Sequence, residues 1–307
     1  MLGRPLSEIA IQLKAMSEYP LPTFKVRYVG LIFFSFISLM SVIGVPIYIY
    51  HFGLTQGEIA LFLFFFFATG MAITAGYHRL FAHVTYKTNP AIRFLLLFFG
   101  AATFEQSAIK WSSQHRQHHR FTDTEHDPHS TTKGFFYCHV GWIVFYKHKV
   151  NMANVKDLWR DKLTRHQHEY YGLWSVAGGI MLPMALGFWI GRPLGAFLLA
   201  VCLRMVLVLN AAFLINSYAH MVGKRNFDPN ATARDHWLGA VITNGEGYHS
   251  FHHRFPSDYR NGYRWYHWDP TKWFIFTLSR LGLANQLKRT PLAKIDDVRL
   301  AVSNSLS

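Results

Sequence analysis

A-I-R-F-L-L-L-F-F-G-A-A-T-F-E-Q-S-A-I, from Ala91 to Ile109, decides the architecture of this chain. Its apolar centre, Phe94 to Phe104, lies between Arg93 and Glu105. As a helix that centre covers roughly 17 Å, against roughly 30 Å for the hydrocarbon layer of a bilayer. The stretch therefore reads as an interfacial or re-entrant helix and not as a crossing. Four other stretches are long enough to cross. Residues 29–50 carry no charge, 57–77 carry none after Glu58, and 171–191 carry none. Residues 193–219 carry only Arg204, which either snorkels to an interface or pairs inside the protein.

Composition agrees with membrane embedding. Of 307 residues, 50% are hydrophobic and only 16% are charged, well below the roughly 25% of soluble domains. The net charge of +14 suits a face turned to the cytoplasm and its anionic lipids. No basic helix or aromatic RNA-binding motif accompanies it, which argues against nucleic acid as the partner. Cys138 and Cys202 form no CxxC and resemble neither a disulfide framework nor metal ligands. The first ten residues lack the apolar core of a cleaved signal.

Lys14, Lys25 and Arg27 precede the first span, and the loop after it has no Lys or Arg, so the N-terminus is expected in the cytoplasm. Two crossings bring the chain back at His78. With 91–109 kept on that side, His115 stays there, and the last two spans return His220 and His249 to it. A fifth crossing would put His115 across the bilayer from His78. The expected fold is an all-α integral membrane protein, a single unit over residues 1–307. Four transmembrane helices carry a helical cytoplasmic cap made of 78–170 and 220–307, with both termini cytoplasmic.

That topology matters because of the histidines. H-R-L-F-A-H (His78 to His83), H-R-Q-H-H (His115 to His119) and H-S-F-H-H (His249 to His253) hold eight imidazoles, too many for one ion. Neutral nitrogen donors suit Fe, Zn, Cu and Ni, so the clusters suggest two metals in a shared site. His115, His118 and His119, like His249, His252 and His253, stand at i, i+3 and i+4, so each triplet can point at a common centre. His78 and His83 are about 140° apart on an ideal helix, so the helix must end or distort between them, for instance in a loop from Phe81. His126 and His129 are candidates for a zinc-like or outer cluster. His139, His148, His166, His168, His236 and His267 read as interfacial or capping residues.

Several longer segments carry a family likeness. T-A-G-Y-H-R-L-F-A-H, W-S-S-Q-H-R-Q-H-H-R-F-T-D-T-E-H-D-P-H, H-V-G-W, L-V-L-N-A-A-F-L-I-N-S-Y-A-H and N-G-E-G-Y-H-S-F-H-H-R-F-P-S-D-Y-R extend over about Thr74 to Leu283. In box order, spacing and the intervening pair of spans, the chain resembles the integral-membrane fatty acyl desaturases, specifically the stearoyl-type enzymes acting at the ninth carbon. The resemblance implies a ninth ligand, His220, and a water-mediated contact from Asn216. The implied metal ligands are thus His78, His83, His115, His118, His119, His220, His249, His252 and His253, around two iron ions.

The resemblance also implies a reaction: oxygen-dependent removal of two hydrogens from a saturated acyl-CoA, giving a cis double bond. The metal centre carries that hard step, with no separate catalytic residue. An apolar tunnel would hold the acyl chain, with Trp111, Trp142, Trp265 and Trp268 as candidate walls or lids. Asp123, Glu125, Asp127, Glu246 and Asp258 could accept Nδ1–H bonds from the imidazoles. Lys110, Arg116, Arg120, Lys147, Lys149 and Arg254 could meet a coenzyme A or phospholipid head group. Some relatives carry a fused haem domain with an H-P-G-G motif, which this sequence lacks. The expected electron donor is therefore a separate ferredoxin or b-type cytochrome with its reductase, steered by the basic face.

Two other classes compete. A membrane hydroxylase, ketolase or alkane monooxygenase shares the histidine pattern and would yield an oxygenated product. A histidine-rich metal transporter or sensor would place its ligands within the bilayer, whereas these boxes fall just outside the spans.

Overall fold

The computed structural model describes Tyr19 and residues 21–306. Lys14 and the N-terminal ten residues read above lie outside this range. Among the described residues, four helices are long and apolar enough to cross a membrane: α1 (Tyr28–Phe52), α2 (Gln56–Ala82), α6 (Tyr171–Trp189) and α7 (Pro193–Met221). Between the pairs lie α3 (Pro90–Ala101), α4 (Ala108–Phe121) and α5 (Lys162–Glu169). After the last span come the short α8 (His249–Arg254) and α9 (Pro270–Arg280). The cap also contains two antiparallel ladders of two residues per strand. These pair β1 (Thr23–Phe24) with β3 (Tyr146–Lys147), and β2 (Lys87–Thr88) with β4 (Ala284–Asn285).

The spans show their solvent in their surface. Val29 and Tyr50 on α1 and Trp189 on α6 are more than 80% exposed, an arrangement that suits lipid and not water. At the end of the bundle away from the histidines, Thr55 caps α2 in a capping box with Glu58. The buried Glu58 also accepts from the Tyr48 hydroxyl at 2.5 Å and faces Arg192 Nε at 3.3 Å. Gly195 has no side chain because a Cβ there would sit 1.8 Å from Glu58 Oε1. One carboxylate thus joins α1, α2 and the turn between α6 and α7.

The deciding stretch is a helix that does not cross. Asn89 caps α3 by accepting from Ile92 N–H, Pro90 stands in its first turn, and it ends after 12 residues. Leu96, Leu97, Gly100 and Ala101 are buried, whereas Phe94 and Leu95 face outward. A Cβ on Gly100 would meet the Tyr77 ring at 2.3 Å, so glycine allows α3 to lie directly on α2. Its last carbonyls find a partner in Arg204. That guanidinium is wholly buried in α7 and neither snorkels nor meets a carboxylate. It donates to Ala102 O at 2.7 Å, Gly179 O at 2.9 Å and Ala200 O at 3.0 Å. Ala200 and Gly179 belong to π-helical stretches of α7 and α6, and Ala102 ends α3. One cation therefore serves carbonyls at three irregular points of backbone.

Each orphaned buried acceptor costs about 1–3 kcal/mol. Arg204→Met should lower the thermal midpoint in detergent well below that of the parent protein, with Arg204→Lys between them. A parental midpoint for the methionine variant would contradict this role.

Candidate metal centre

The first box lies at the C-terminal end of α2, where residues 72–82 are π-helical. The His83 N–H donates to the His78 carbonyl at 3.1 Å. The distortion that the spacing demanded is therefore this five-residue bond, not a loop from Phe81. It brings the two rings to 4.9 Å between centroids. The second box occupies α4, which starts at the Ser107 cap and packs against the same π-helical segment. The third occupies α8, and His220 stands at the end of α7.

Nine Nε2 atoms converge, in two groups. His78, His83, His115, His119 and His252 form one, and His118, His220, His249 and His253 the other; within each group the ligand atoms lie within 4.8 Å. Neighbouring Nε2 atoms approach to 3.0 Å (His78–His252), 2.7 Å (His83–His115), 2.9 Å (His119–His252), 2.9 Å (His220–His249) and 3.1 Å (His249–His253). The expectation that each triplet shares one centre needs correction, because each triplet divides. Residues i and i+4 point about 40° apart and go to the same group, His115 with His119 and His249 with His253. The i+3 residue points away from its i+4 neighbour by about 100°. His118 and His252 accordingly serve the opposite groups and interlock them.

The outer contacts fix the tautomers. His78 Nδ1 donates to Glu246 at 2.8 Å and His118 Nδ1 to Asp127 at 2.9 Å. His220 Nδ1 donates to the Thr232 hydroxyl at 2.7 Å, which itself donates to Asp123 at 2.7 Å. An imidazole whose Nδ1 carries the proton presents a bare lone pair at Nε2. Burial first, and neighbouring imidazoles second, hold His83, His115, His119, His249, His252 and His253 far below the usual imidazole range. Neutral rings with lone pairs aimed at one another within hydrogen-bond distance repel unless a cation lies between them. The donor set fits metal ions.

One wall of this centre opens on a cavity of about 870 Å³. His78, His115, His118 and His249 face it, and Asn216 lines it one helical turn before His220. Its sides are apolar: Phe33 and Phe34 of α1, Ile73 of α2, and Leu209, Ala212 and Phe213 of α7. Lys25, Arg27 and Lys110 also line it. Burial first, then the charges of Arg27 and Lys147, lowers the Lys110 ammonium.

A family model described as Fatty acid desaturase matches residues 57–276, which include every histidine of the centre. The chain belongs to the fatty acid desaturase family. Among curated desaturases, acyl-CoA desaturase 1 of Saccharomyces cerevisiae is 37% identical over 268 residues, covering 83% of this chain and 52% of that protein. A probable acyl-CoA desaturase of Schizosaccharomyces pombe is 41% identical over 240 residues, covering 77% and 50%. The stearoyl-CoA desaturase of Homo sapiens is 36% identical over 241 residues, covering 76% and 67%. The chain thus spans about half the length of the two fungal desaturases.

Around this centre the remaining candidates separate. Trp111 stacks on His115 at 4.8 Å, and Trp142 sits edge-on to His129 at 5.1 Å; both line the cavity. Trp265 is 86% exposed and Trp268 packs on Trp273, so neither is part of the wall. Lys147 lies in β3, outside the lining, near enough to Lys110 to act on its charge. Arg116 is committed elsewhere: it donates to the carbonyls of Phe81, Ala82 and Asn154 and pairs with Asp157 at 2.8 Å. Arg120 lies over Tyr19 and Phe121, and the exposed Lys149 and Arg254 do not line the cavity.

Among the acids, Glu246 and Asp127 touch imidazoles directly and Asp123 acts through Thr232. Glu125 is exposed, and Asp258 pairs with Arg260 at 2.9 Å. His129 lies beside His118 and Asp127, whereas the His126 ring donates to Tyr19 O. His139, His148, His166, His168 and His236 bond to Ser217, Trp142 O, Trp174, Ser107 and Gly239 N–H respectively, and His267 stacks on Tyr248.

The sequence reading missed a buried support. Arg79, 1% exposed, donates to Glu246 at 2.9 Å, to Asp269 at 3.0 Å and to Tyr259 O at 2.8 Å. Asn261 Nδ2 donates to the other Glu246 oxygen at 2.5 Å. The signal was present: an arginine directly after a ligand, at the end of a span, needs a buried partner.

Proposed function

We propose that this protein is a di-iron acyl-CoA desaturase that introduces a cis double bond at the ninth carbon of a saturated chain. The observation that carries the reading is the meeting of two imidazole groups with one apolar cavity that also has a cationic lining. His78, His83, His115, His119 and His252 would hold one iron. His118, His220, His249 and His253 would hold the other, with Asn216 placed to reach it through water. When bound, the irons supply O₂ activation and hydrogen removal, chemistry no side chain performs.

The protein's own part is positioning. Lys25, Arg27 and Lys110 suit the phosphates of coenzyme A. The phenylalanines of α1 and the inner face of α7 enclose a polymethylene chain and exclude water. Trp111 and His115 form the wall nearest the nitrogens. In the balanced reaction O₂ gains four electrons, two from the breaking C–H bonds and two from a carrier. With two protons from solvent it leaves as two waters. The carrier is an acidic ferredoxin or a b-type cytochrome with its reductase, approaching a cytoplasmic metal face and cytoplasmic termini. The relatives' printed names, acyl-CoA and stearoyl-CoA desaturase, support this substrate class.

Expression in a host lacking unsaturated fats tests the reading, with the double bond located by mass spectrometry. A mono-unsaturated product at the ninth carbon is expected; an alcohol would make the protein a hydroxylase. Cavity length gives a second test. Leu209, Ala212 and Asn216 lie along one face of α7, and Ala212 is one turn deeper than Asn216. Ala212→Trp should shift the product profile toward shorter chains, or lower turnover of long ones by at least tenfold, at unchanged iron content. An unchanged profile would remove Ala212 from the acyl wall.

A further inference from the structure

A second cavity, of about 220 Å³, lies beside α8 at Tyr248 and Phe251 and shares no lining residue with the first. Sites for drug-sized ligands hold roughly 300–1,000 Å³, so this one suits a compact group. Its depth offers acceptors. Asn261, 1% exposed, gives its Nδ2 to Glu246, which leaves Oδ1 buried with no partner among the described residues. The Asp235 carboxylate accepts from Asn226 Nδ2 at 2.8 Å and from Phe251 N–H at 3.1 Å, two of the roughly four bonds a carboxylate can take. Its mouth offers donors, Arg264 and Arg299. Arg299 is exposed, and Arg264 meets Asp296 only at 3.6 Å, in a pair open to solvent. The site is preformed. The buried Lys272 ammonium donates to Gly262 O at 2.7 Å, Arg264 O at 2.8 Å and His267 O at 3.1 Å, and so holds the loop that carries Tyr263 to His267.

This edge of the cap also reaches lipid depth. The helix Trp237–Ile242 leaves Trp237, Leu238, Val241 and Ile242 exposed, four of its six residues, a face that suits lipid. Asn244, just beyond it, packs on Gly70 of α2, and the Thr271 hydroxyl donates to the Thr74 hydroxyl of α2 at 2.8 Å. Gly70 lies eight residues before His78, roughly 12 Å back along the span. The cavity mouth, with Trp237 and Tyr266 exposed beside it, therefore stands at the boundary between span and cap. We propose that this cavity binds the head group of an aminophospholipid, phosphatidylethanolamine, whose acyl chains lie along the exposed face of the helix Trp237–Ile242. The ammonium donates to Asn261 Oδ1 and to Asp235, beside the rings of Tyr248 and Tyr263, which attract a cation. The phosphate meets Arg264 and Arg299 at the mouth. A choline head group has no N–H for Asn261, and a glycerol head group has no positive charge for Asp235. The lipid site holds whatever reaction the metals perform.

The experiment titrates iron-loaded, full-length protein, stripped of lipid in detergent, with short-chain phosphatidylethanolamine, phosphatidylcholine and phosphatidylglycerol, and with free phosphoethanolamine. Native mass spectrometry counts the adducts. One saturable phosphatidylethanolamine adduct is expected, at least tenfold tighter than either other lipid and than the free head group. Joint replacement of Arg264→Gln and Arg299→Gln should weaken that adduct at least tenfold. Asp235→Asn should erase the preference for ethanolamine over glycerol while leaving phosphatidylglycerol binding unchanged. Equal binding of the three lipids, a preference for choline, or parental affinity in both variants overturns the proposal. Free phosphoethanolamine binding as tightly as the lipid would give the site to a soluble phosphomonoester and overturn it too. If Asp235→Asn fails to fold, the ranking of the three lipids on the parent protein still decides.

Discussion

His118→Ala and His252→Ala should each abolish unsaturation, but they should deplete the metal differently. His118 belongs to the four-nitrogen group and His252 to the five-nitrogen group. Losing one of four leaves three nitrogens and an open side, so His118→Ala is expected to retain about one iron of the two, the one held by the other group. His252→Ala leaves four donors in its group and should bind its iron more weakly without emptying the site at high metal concentration. Iron per chain after dialysis, measured beside product formation, checks both. Equal loss of both irons in the two variants would mean that the groups act as one cluster. Retained activity in either would remove that residue from the centre.

Glu246→Leu is expected to do comparable damage from outside the ligand set. Its carboxylate accepts from His78, Arg79 and Asn261 at once; burial pushes its pKa up, but the charges of His78 and Arg79, and then their hydrogen bonds, hold it below the usual carboxylate value. Removing it frees the His78 tautomer and leaves Arg79 buried with Asp269 as its one carboxylate partner. Breaking a buried pair from one side costs about 3–5 kcal/mol, and loss of an outer partner weakens metal binding about 10–100-fold. Glu246→Gln retains the shape and an acceptor, so its fold should hold better while its metal affinity still falls. The unfolding midpoint of metal-free protein and the iron dissociation constant separate the two effects. Parental iron affinity in both variants would show that His78 does not depend on this carboxylate.

Much of the architecture was legible because hydrophobic length is a local property. The four spans follow from long apolar runs with at most one charge each, and α3 follows from the two charges that bracket Phe94 to Phe104. The histidine groups were legible in part. Spacing showed which residues share a helix face, but it did not show that the 100° between i+3 and i+4 separates two centres. That outcome depends on how α4 and α8 face each other. Arg79 was legible as a cation in need of a buried partner, but Asn261, Thr232 and Asp269 were not, since the contacts that give them their importance cross more than 100 residues in several cases. Trp265 shows the opposite error: a tryptophan near a ligand box in sequence can still point into solvent.

The hydrogen bond from the His83 N–H to the His78 carbonyl has an evolutionary corollary. A single main-chain link closes the gap between these two ligands, so the interval is counted in residues, while the chemistry of the residues inside it matters less. Exchanging Leu80 for another aliphatic should be tolerated, whereas excising it would swing the second imidazole about a quarter turn off target. Drift in this segment should therefore proceed by replacement and almost never by insertion or deletion.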